Sequence, residues 1–128
     1  MRIDYKRGKL YMEEFCCKLP DGYRLISEID GDTVDEVVLA SSDERLLIRI
    51  RPYGEMPPEG MAEAMHNGLP VYRAEARRGR EWILKTVFPL KEKPGCALLV
   101  EMRTTEEEGG LLLKEKENRL FWGSFCRW

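Results

Sequence analysis

Two stretches of this sequence decide the fold: residues 34–51, VDEVVLASSDERLLIRIR, and residues 71–88, VYRAEARRGREWILKTVF. In each stretch, apolar side chains recur with a period of two on both sides of a short polar turn. That period is typical of a β-hairpin that buries one face, because successive side chains of a strand point to opposite sides. The chain is therefore predicted to fold around an antiparallel sheet.

In the first hairpin, the apolar and the charged residues agree on one register. A four-residue turn over 41–44 places Leu39 opposite Leu46, and it brings Glu36 to Arg49 on the other face. Cross-strand pairs of this kind stabilise a sheet, so we expect this register.

The second hairpin has two candidate turns. A two-residue turn over 78–79 opposes Trp82 to Glu75, whereas a three-residue turn over 77–79 opposes Trp82 to Ala74. The three-residue turn keeps apolar residues together, and it gives its glycine the left-handed conformation that glycine adopts most easily. We expect the three-residue turn.

Length and composition indicate one domain. The chain has 128 residues, of which 43% are hydrophobic and 34% are charged, so it can bury a core of its own. We expect residues 1–9 to be a polar arm or a short edge strand, and residues 10–128 to form a single α+β domain. The sequence has neither a complete secretory signal nor an apolar run of about 20 residues, so we expect a cytoplasmic protein that does not enter a membrane.

Turn signals divide the rest of the chain into short elements. Residues 10–18 and 96–103 have the pattern of strands, and residues 23–29 fit either a short helix or a strand. Residues 111–128 fit a helix that lies across the sheet, while their aromatic residues favour a strand over 120–126. We prefer the helix here and keep the strand as the alternative.

Between the two hairpins, the sequence predicts one further helix. Pro57-Pro58-Glu59 can begin it, Met61 and Met65 fall on one of its faces, and Asn67-Gly68 can end it. The predicted fold class is therefore α+β, with an antiparallel sheet of five to six strands and helices packed on its faces.

Three short motifs occur in a suggestive order: Leu19-Pro20-Asp21-Gly22-Tyr23, Gly68-Leu69-Pro70-Val71-Tyr72 and Gly123-Ser124-Phe125. In this order they resemble the PsbP-like family over residues 10–126. The resemblance implies an antiparallel sheet covered by helices, as in the photosystem II accessory protein and a Ran-GTPase-binding import factor. It also implies a scaffold that binds other macromolecules. The family shares no catalytic constellation, so no active residues carry over.

The residues with the most reactive side chains do not form a recognisable site. Adjacent Cys16 and Cys17 on a strand point to opposite faces, and neither a CxxC nor an HxxxH spacing is present. We therefore expect reduced thiols, no metal and no cofactor. His66 is the only histidine, and a Cys-His pair with Cys96 or Cys126 stays open. A helix-end position is the simpler interpretation, so no catalytic residue is predicted.

Charge is segregated along the chain, with acidic residues over 28–44 and mainly basic residues over 73–93. Strand alternation predicts one basic stripe that faces away from the core and can recognise carboxylates or phosphates. Its members are Arg49, Arg51, Arg73, Arg77 and Lys85. The alternative is a solvated face balanced by Glu36, Glu75 and Glu81.

The aromatic C-terminus offers a second surface. We expect Phe121 and Phe125 in the core, and we take Trp122 and Trp128 as candidate docking residues. The predicted function is a non-enzymatic binding or accessory protein with a protein partner, and the alternative is a small enzyme or ligand-binding protein with a cleft near His66. Nucleic acid is not expected at a net charge of -2. The oligomeric state stays open.

Overall fold

The computed structural model describes residues 1–105 and 109–128, and in those ranges it has eleven strands and two helices. The strands are β1 (Ile3–Lys6), β2 (Lys9–Met12), β3 (Phe15–Lys18), β4 (Arg24–Leu25), β5 (Val37–Ala40), β6 (Leu47–Tyr53), β7 (Ala62–His66), β8 (Leu69–Arg78), β9 (Glu81–Pro89), β10 (Ala97–Thr104) and β11 (Cys126–Arg127). The helices are α1 (Gly109–Leu112) and α2 (Lys116–Gly123).

The strands form two antiparallel sheets. The smaller has the order β1-β2-β3-β11, and the larger has the order β4-β5-β6-β10-β9-β8-β7. Apolar side chains from both sheets form the main core, in which the ring of Phe15 on β3 lies 5.4 Å from that of Phe88 on β9. The core therefore lies between two sheets, and each sheet turns one face toward it.

The predicted fold class is wrong. The chain is mostly β, and neither short helix forms a layer over a sheet face, so the helix-covered single sheet that the PsbP-like resemblance implied is not found. The helix predicted after Pro57-Pro58-Glu59 is the strand β7. Met61 and Met65 misled the prediction because residues four apart share a face in a strand as well as in a helix. Asn67-Gly68, with φ of 50° and 78°, is the two-residue turn that joins β7 to β8.

Residues 10–18, predicted as one strand, are two strands. Glu13 and Glu14 form a two-residue turn between β2 and β3, and Glu13 has a φ of 51°. The turn is invisible to composition because glutamate is not a typical turn residue. Residues 1–9 contain β1, an edge strand that is joined to β2 through Arg7-Gly8. Strand β10 confirms the strand predicted over 96–103.

The C-terminal region combines both sequence interpretations. Helix α2 covers only eight residues. Strand β11 follows it and pairs with β3, and its first residue, Cys126, is the last residue of the strand that the alternative placed over 120–126. Phe121 and Phe125 are fully buried, which confirms the prediction for these two side chains. Both side chains enter the main core, and α2 does not form a layer on a sheet face.

The register of the first hairpin differs from the prediction by two residues. Leu39 lies opposite Ile48. At one end of the turn the Ser41 N–H donates to the Leu46 backbone oxygen, and the Leu46 N–H donates to the Ser41 hydroxyl oxygen, both at 3.0 Å. A shift of two keeps every side chain on its predicted face. The Arg49 guanidinium lies 2.6 Å from Glu36, which confirms that contact.

The register of the second hairpin is wrong by three residues, and this error has larger consequences. Trp82 lies opposite Arg77, and the turn is Gly79-Arg80 between the paired residues Arg78 and Glu81. An odd shift moves one strand's side chains to the other face. Arg73 and Arg77 therefore share the face of Trp82.

Candidate functional site

The structure divides the predicted basic stripe between two faces of the larger sheet. Arg49, Arg51 and Lys85 lie on the outer face, on neighbouring strands connected through β10. Arg73 and Arg77 lie on the inner face, because of the hairpin register described above. The five residues do not form a single binding surface.

Carboxylates neutralise much of the charge on the outer face. Glu36 pairs with Arg49, and Glu101 lies 3.9 Å from the Lys85 ammonium and 3.2 Å from the Arg103 guanidinium. Glu101 is buried, so its charge acts at short range on both cations. Around Arg49 and Lys85 the charge is thus balanced, as in the alternative from sequence, but partly by Glu101. Glu75, which that alternative also named, lies on the inner face and accepts the indole N–H of Trp82.

The two candidate tryptophans have different surroundings. Trp122 is half-buried, and its ring lies 4.1 Å from that of His66. Trp128 is 71% exposed, and its ring meets the edge of Tyr11 at 5.4 Å. Trp122 is thus part of an interior cluster, and Trp128 is the tryptophan that a partner can reach.

His66 is held by hydrogen bonds at both ring nitrogens. Nδ1 lies 3.3 Å from the Arg73 guanidinium, and Nε2 lies 2.8 Å from the backbone oxygen of Trp122. A guanidinium only donates, so Nδ1 accepts and Nε2–H donates to Trp122. Burial lowers the pKa of His66, the bond to Trp122 opposes this shift, and the charge of Arg73 adds to it. His66 is therefore a neutral bridge between β7, β8 and α2.

Trp128 is fixed in place although it is exposed. Its backbone N–H donates to the backbone oxygen of Glu14 at 3.1 Å, and its indole Nε1–H donates to the backbone oxygen of Glu13 at 2.9 Å. The acceptors lie in the turn between β2 and β3, so a reverse turn sets the orientation of the indole. Two hydrogen bonds and the edge contact with Tyr11 hold a large apolar ring at the surface.

A cleft of about 700 Å³ opens beside this ring. It is lined by Arg2, Ile3, Asp4, Tyr11, Glu13, Glu14, Gly31, Asp32, Glu92, Lys93 and Trp128. The lining side chains comprise five carboxylates and two cations. The cleft is therefore acidic, with an aromatic wall; we call it the Trp128 cleft.

The carboxylates of the Trp128 cleft differ in how far they are already engaged. Glu14 accepts the backbone N–H groups of Lys91 and Glu92 at 2.7 and 2.9 Å, and Glu13 lies 3.8 Å from the Lys93 ammonium. Within residues 1–105 and 109–128, the carboxylates of Asp32 and Glu92 have no ion-pair partner. These two groups leave negative charge available to a ligand.

Sequence reasoning found Trp128 and missed the rest of the cleft. The lining comes from four separated parts of the chain, near residues 2–14, 31–32, 92–93 and 128. The pairing of β11 with β3 brings residue 128 to this cleft, a backbone hydrogen bond from Ile3 to Asp32 brings residues 31–32, and the Glu14 carboxylate holds the backbone of residues 91–92. No local sequence pattern indicates these long-range contacts. The exposed aromatic residue was the one available signal.

Comparison with protein-family models, with curated proteins and with solved structures found no match for this chain. The PsbP-like resemblance therefore stays a prediction. Within the described residues, no helix is both long and apolar enough to cross a membrane.

Proposed function

We propose that this protein is a non-enzymatic binding protein that holds a cation-bearing segment of a protein partner in the Trp128 cleft. The observation that carries the proposal is an indole that is 71% exposed yet fixed by a hydrogen bond at its own N–H. Tryptophan is enriched among the residues that dominate binding energy. A ring already held in one orientation loses little further entropy when a partner binds.

The charge of the cleft supports a basic partner. A lysine or arginine side chain that lies over the Trp128 ring gains a cation–π attraction of about 0.5–2 kcal/mol. Asp32 and Glu92 line the same cleft and can accept hydrogen bonds from basic groups of the bound segment, because their carboxylates are exposed and not paired with a cation of the described chain. An acidic or phosphorylated partner meets repulsion in this position.

The engagement of His66 favours binding over catalysis. Its only acceptor nitrogen is occupied by Arg73, and a general base needs a free acceptor within reach of the substrate. The alternative of a small enzyme near His66 therefore has less support than the binding function. A cytoplasmic location stays part of the proposal, as the sequence suggested.

Fluorescence anisotropy of labelled peptides tests the proposal. The probes are a peptide of alternating lysine and glycine and a matched peptide of alternating glutamate and glycine. We expect the lysine peptide to bind, and we expect Trp128→Ala to weaken it about tenfold or more, since about 1.4 kcal/mol of lost attraction corresponds to tenfold. The Asp32→Asn, Glu92→Gln double variant is expected to reduce the salt dependence of binding.

Met65→Ala is the matched control, because Met65 is 63% exposed and lies on β7, outside the Trp128 cleft. It should leave the affinity unchanged. Equal binding of both peptides, or equal loss in Trp128→Ala and Met65→Ala, contradicts the proposal.

A further inference from the structure

Two cysteines that lie far apart in the sequence meet at the edge of the smaller sheet. Strand β11 pairs with β3 so that Cys126 lies directly opposite Cys16, and their Sγ atoms are 3.7 Å apart. Directly opposite residues of an antiparallel pair share a face, so both thiols point the same way. We propose that Cys16 and Cys126 are a redox modification site that closes a reversible disulfide. This inference does not depend on the function proposed for the Trp128 cleft.

The backbone around the pair allows the bond to form. A disulfide requires an S–S distance of about 2.0 Å, so the two sulfur atoms must approach by roughly 1.7 Å. Strand β11 has only two residues, and it forms the outer edge of its sheet. A short edge strand can make this movement without disturbing a neighbour on its other side.

The two thiols differ in access, and this difference assigns their roles. Cys126 is exposed, whereas Cys16 is only 8% exposed. Burial raises the pKa of Cys16, the neighbouring Cys126 thiol raises it further, and Lys9 opposes the shift. Cys126 is therefore the thiol that meets a reagent from solution, and Cys16 attacks second.

The oxidant is a small-molecule disulfide such as glutathione disulfide. The Cys126 thiolate attacks one sulfur of the oxidant, which forms a mixed disulfide and releases one glutathione thiolate. The Cys16 thiolate then attacks Cys126 Sγ, which forms the protein disulfide and releases the second glutathione thiolate. The two protons lost by the protein thiols end on the two glutathiones. Two protein thiols are oxidised, and one glutathione disulfide is reduced.

The other two cysteines provide internal controls. Cys17 follows Cys16 on the strand and points to the opposite face, where it is buried in the main core and burial raises its pKa. Cys96 is exposed like Cys126 but lies just before β10, in the Lys93–Cys96 turn. Because Cys96 is exposed but has no cysteine opposite it among the described residues, we expect it to carry glutathione and form no cross-link. Of the two exposed cysteines, only Cys126, which lies opposite Cys16, should form a disulfide within the chain.

Peptide mapping of the purified full chain after incubation with glutathione disulfide tests the proposal. Free thiols are blocked by alkylation, and the protein is digested with trypsin without reduction. We expect residues 10–18 linked to residues 120–127. Free thiols are counted in Cys96→Ser, which removes glutathione addition at the exposed Cys96, and there the count should fall from three to one. The closed loop is also expected to raise Tm by about 5 °C or more.

Single replacements identify the partners. Cys16→Ser should abolish the cross-link and leave Cys126 carrying glutathione. Cys126→Ser should also abolish the cross-link, and because Cys126 is exposed, this variant should still fold. Cys96→Ser alone should keep it. A wild-type chain whose Cys126 carries only glutathione overturns the proposal. A cross-link that survives in Cys16→Ser also overturns it, because Cys17 is then the partner.

Discussion

Replacing Trp128 and Phe125 separately should give very different losses of stability, although the two residues are three positions apart. Phe125 is fully buried, and its ring stacks on Phe88 with the centroids 4.8 Å apart. Phe125→Ala therefore removes a complete core side chain and should lower the free energy of unfolding by about 3–5 kcal/mol. Trp128→Ala removes one partly solvated hydrogen bond and one edge contact, which together are worth about 1–2 kcal/mol.

Urea unfolding followed by far-UV circular dichroism measures both losses on the same scale. The free energy of unfolding falls by about 1–3 kcal/mol per molar urea, so the expected loss in Phe125→Ala lowers the urea midpoint by about 1 M or more. Trp128→Ala should move it by a smaller amount, because its expected loss of about 1–2 kcal/mol is smaller at the same slope. A Trp128→Ala variant as unstable as Phe125→Ala would refute the reasoning, because Trp128 would then be a core residue and not an exposed docking side chain.

Two further predictions concern His66 and the turn between β7 and β8. Folding lowers the pKa of His66, so the neutral imidazole stabilises the fold above its ordinary pKa of about 6.5, and this stabilisation is lost as the pH falls through the lowered pKa. Between pH 8 and pH 5, the urea midpoint of the wild type should therefore fall more steeply than that of His66→Gln. Parallel curves for the two proteins would contradict this prediction. Gly68 has a φ of +78°, and no atom lies within 4 Å of the position that a Cβ would take. Gly68→Ala should therefore lower the free energy of unfolding by about 1–2 kcal/mol through backbone strain alone. Gly54, which also has open space but no positive φ, is the matched control, and Gly54→Ala should change stability by less than about 0.5 kcal/mol.

The sequence predicted the sheet and much of the core, because alternation along the two hairpins is strong. It predicted the face of each side chain in the first hairpin even though the register was off by two, since Leu39 and Ile48 lie on the buried face in either case. In the second hairpin, residues 74–80 are alanines, charged residues and one glycine. Such side chains carry no signal for which face is buried, so the position of the turn could not be determined from the pattern.

Two further features could not be predicted from the sequence pattern. Strand β9 is buried on both faces over Trp82, Ile83 and Leu84, so this part of the second hairpin does not alternate and does not indicate which face is buried. The contact between Cys16 and Cys126 depends on a pairing across 110 positions of sequence. Only tertiary structure reports such a pairing, so sequence reasoning treated the cysteines as unrelated thiols.

The pairing of β3 with β11 also has a consequence for synthesis on the ribosome. Strand β3 has β2 on one side, and its other neighbour is encoded about 110 residues later. At about 5–20 residues per second, roughly 5–20 s separate the translation of these two partners. During that interval the edge of β3 has no strand beside it, and an open edge is a template for association with other nascent chains. The assembly of the smaller sheet therefore waits until β11 has been translated, long after β1, β2 and β3.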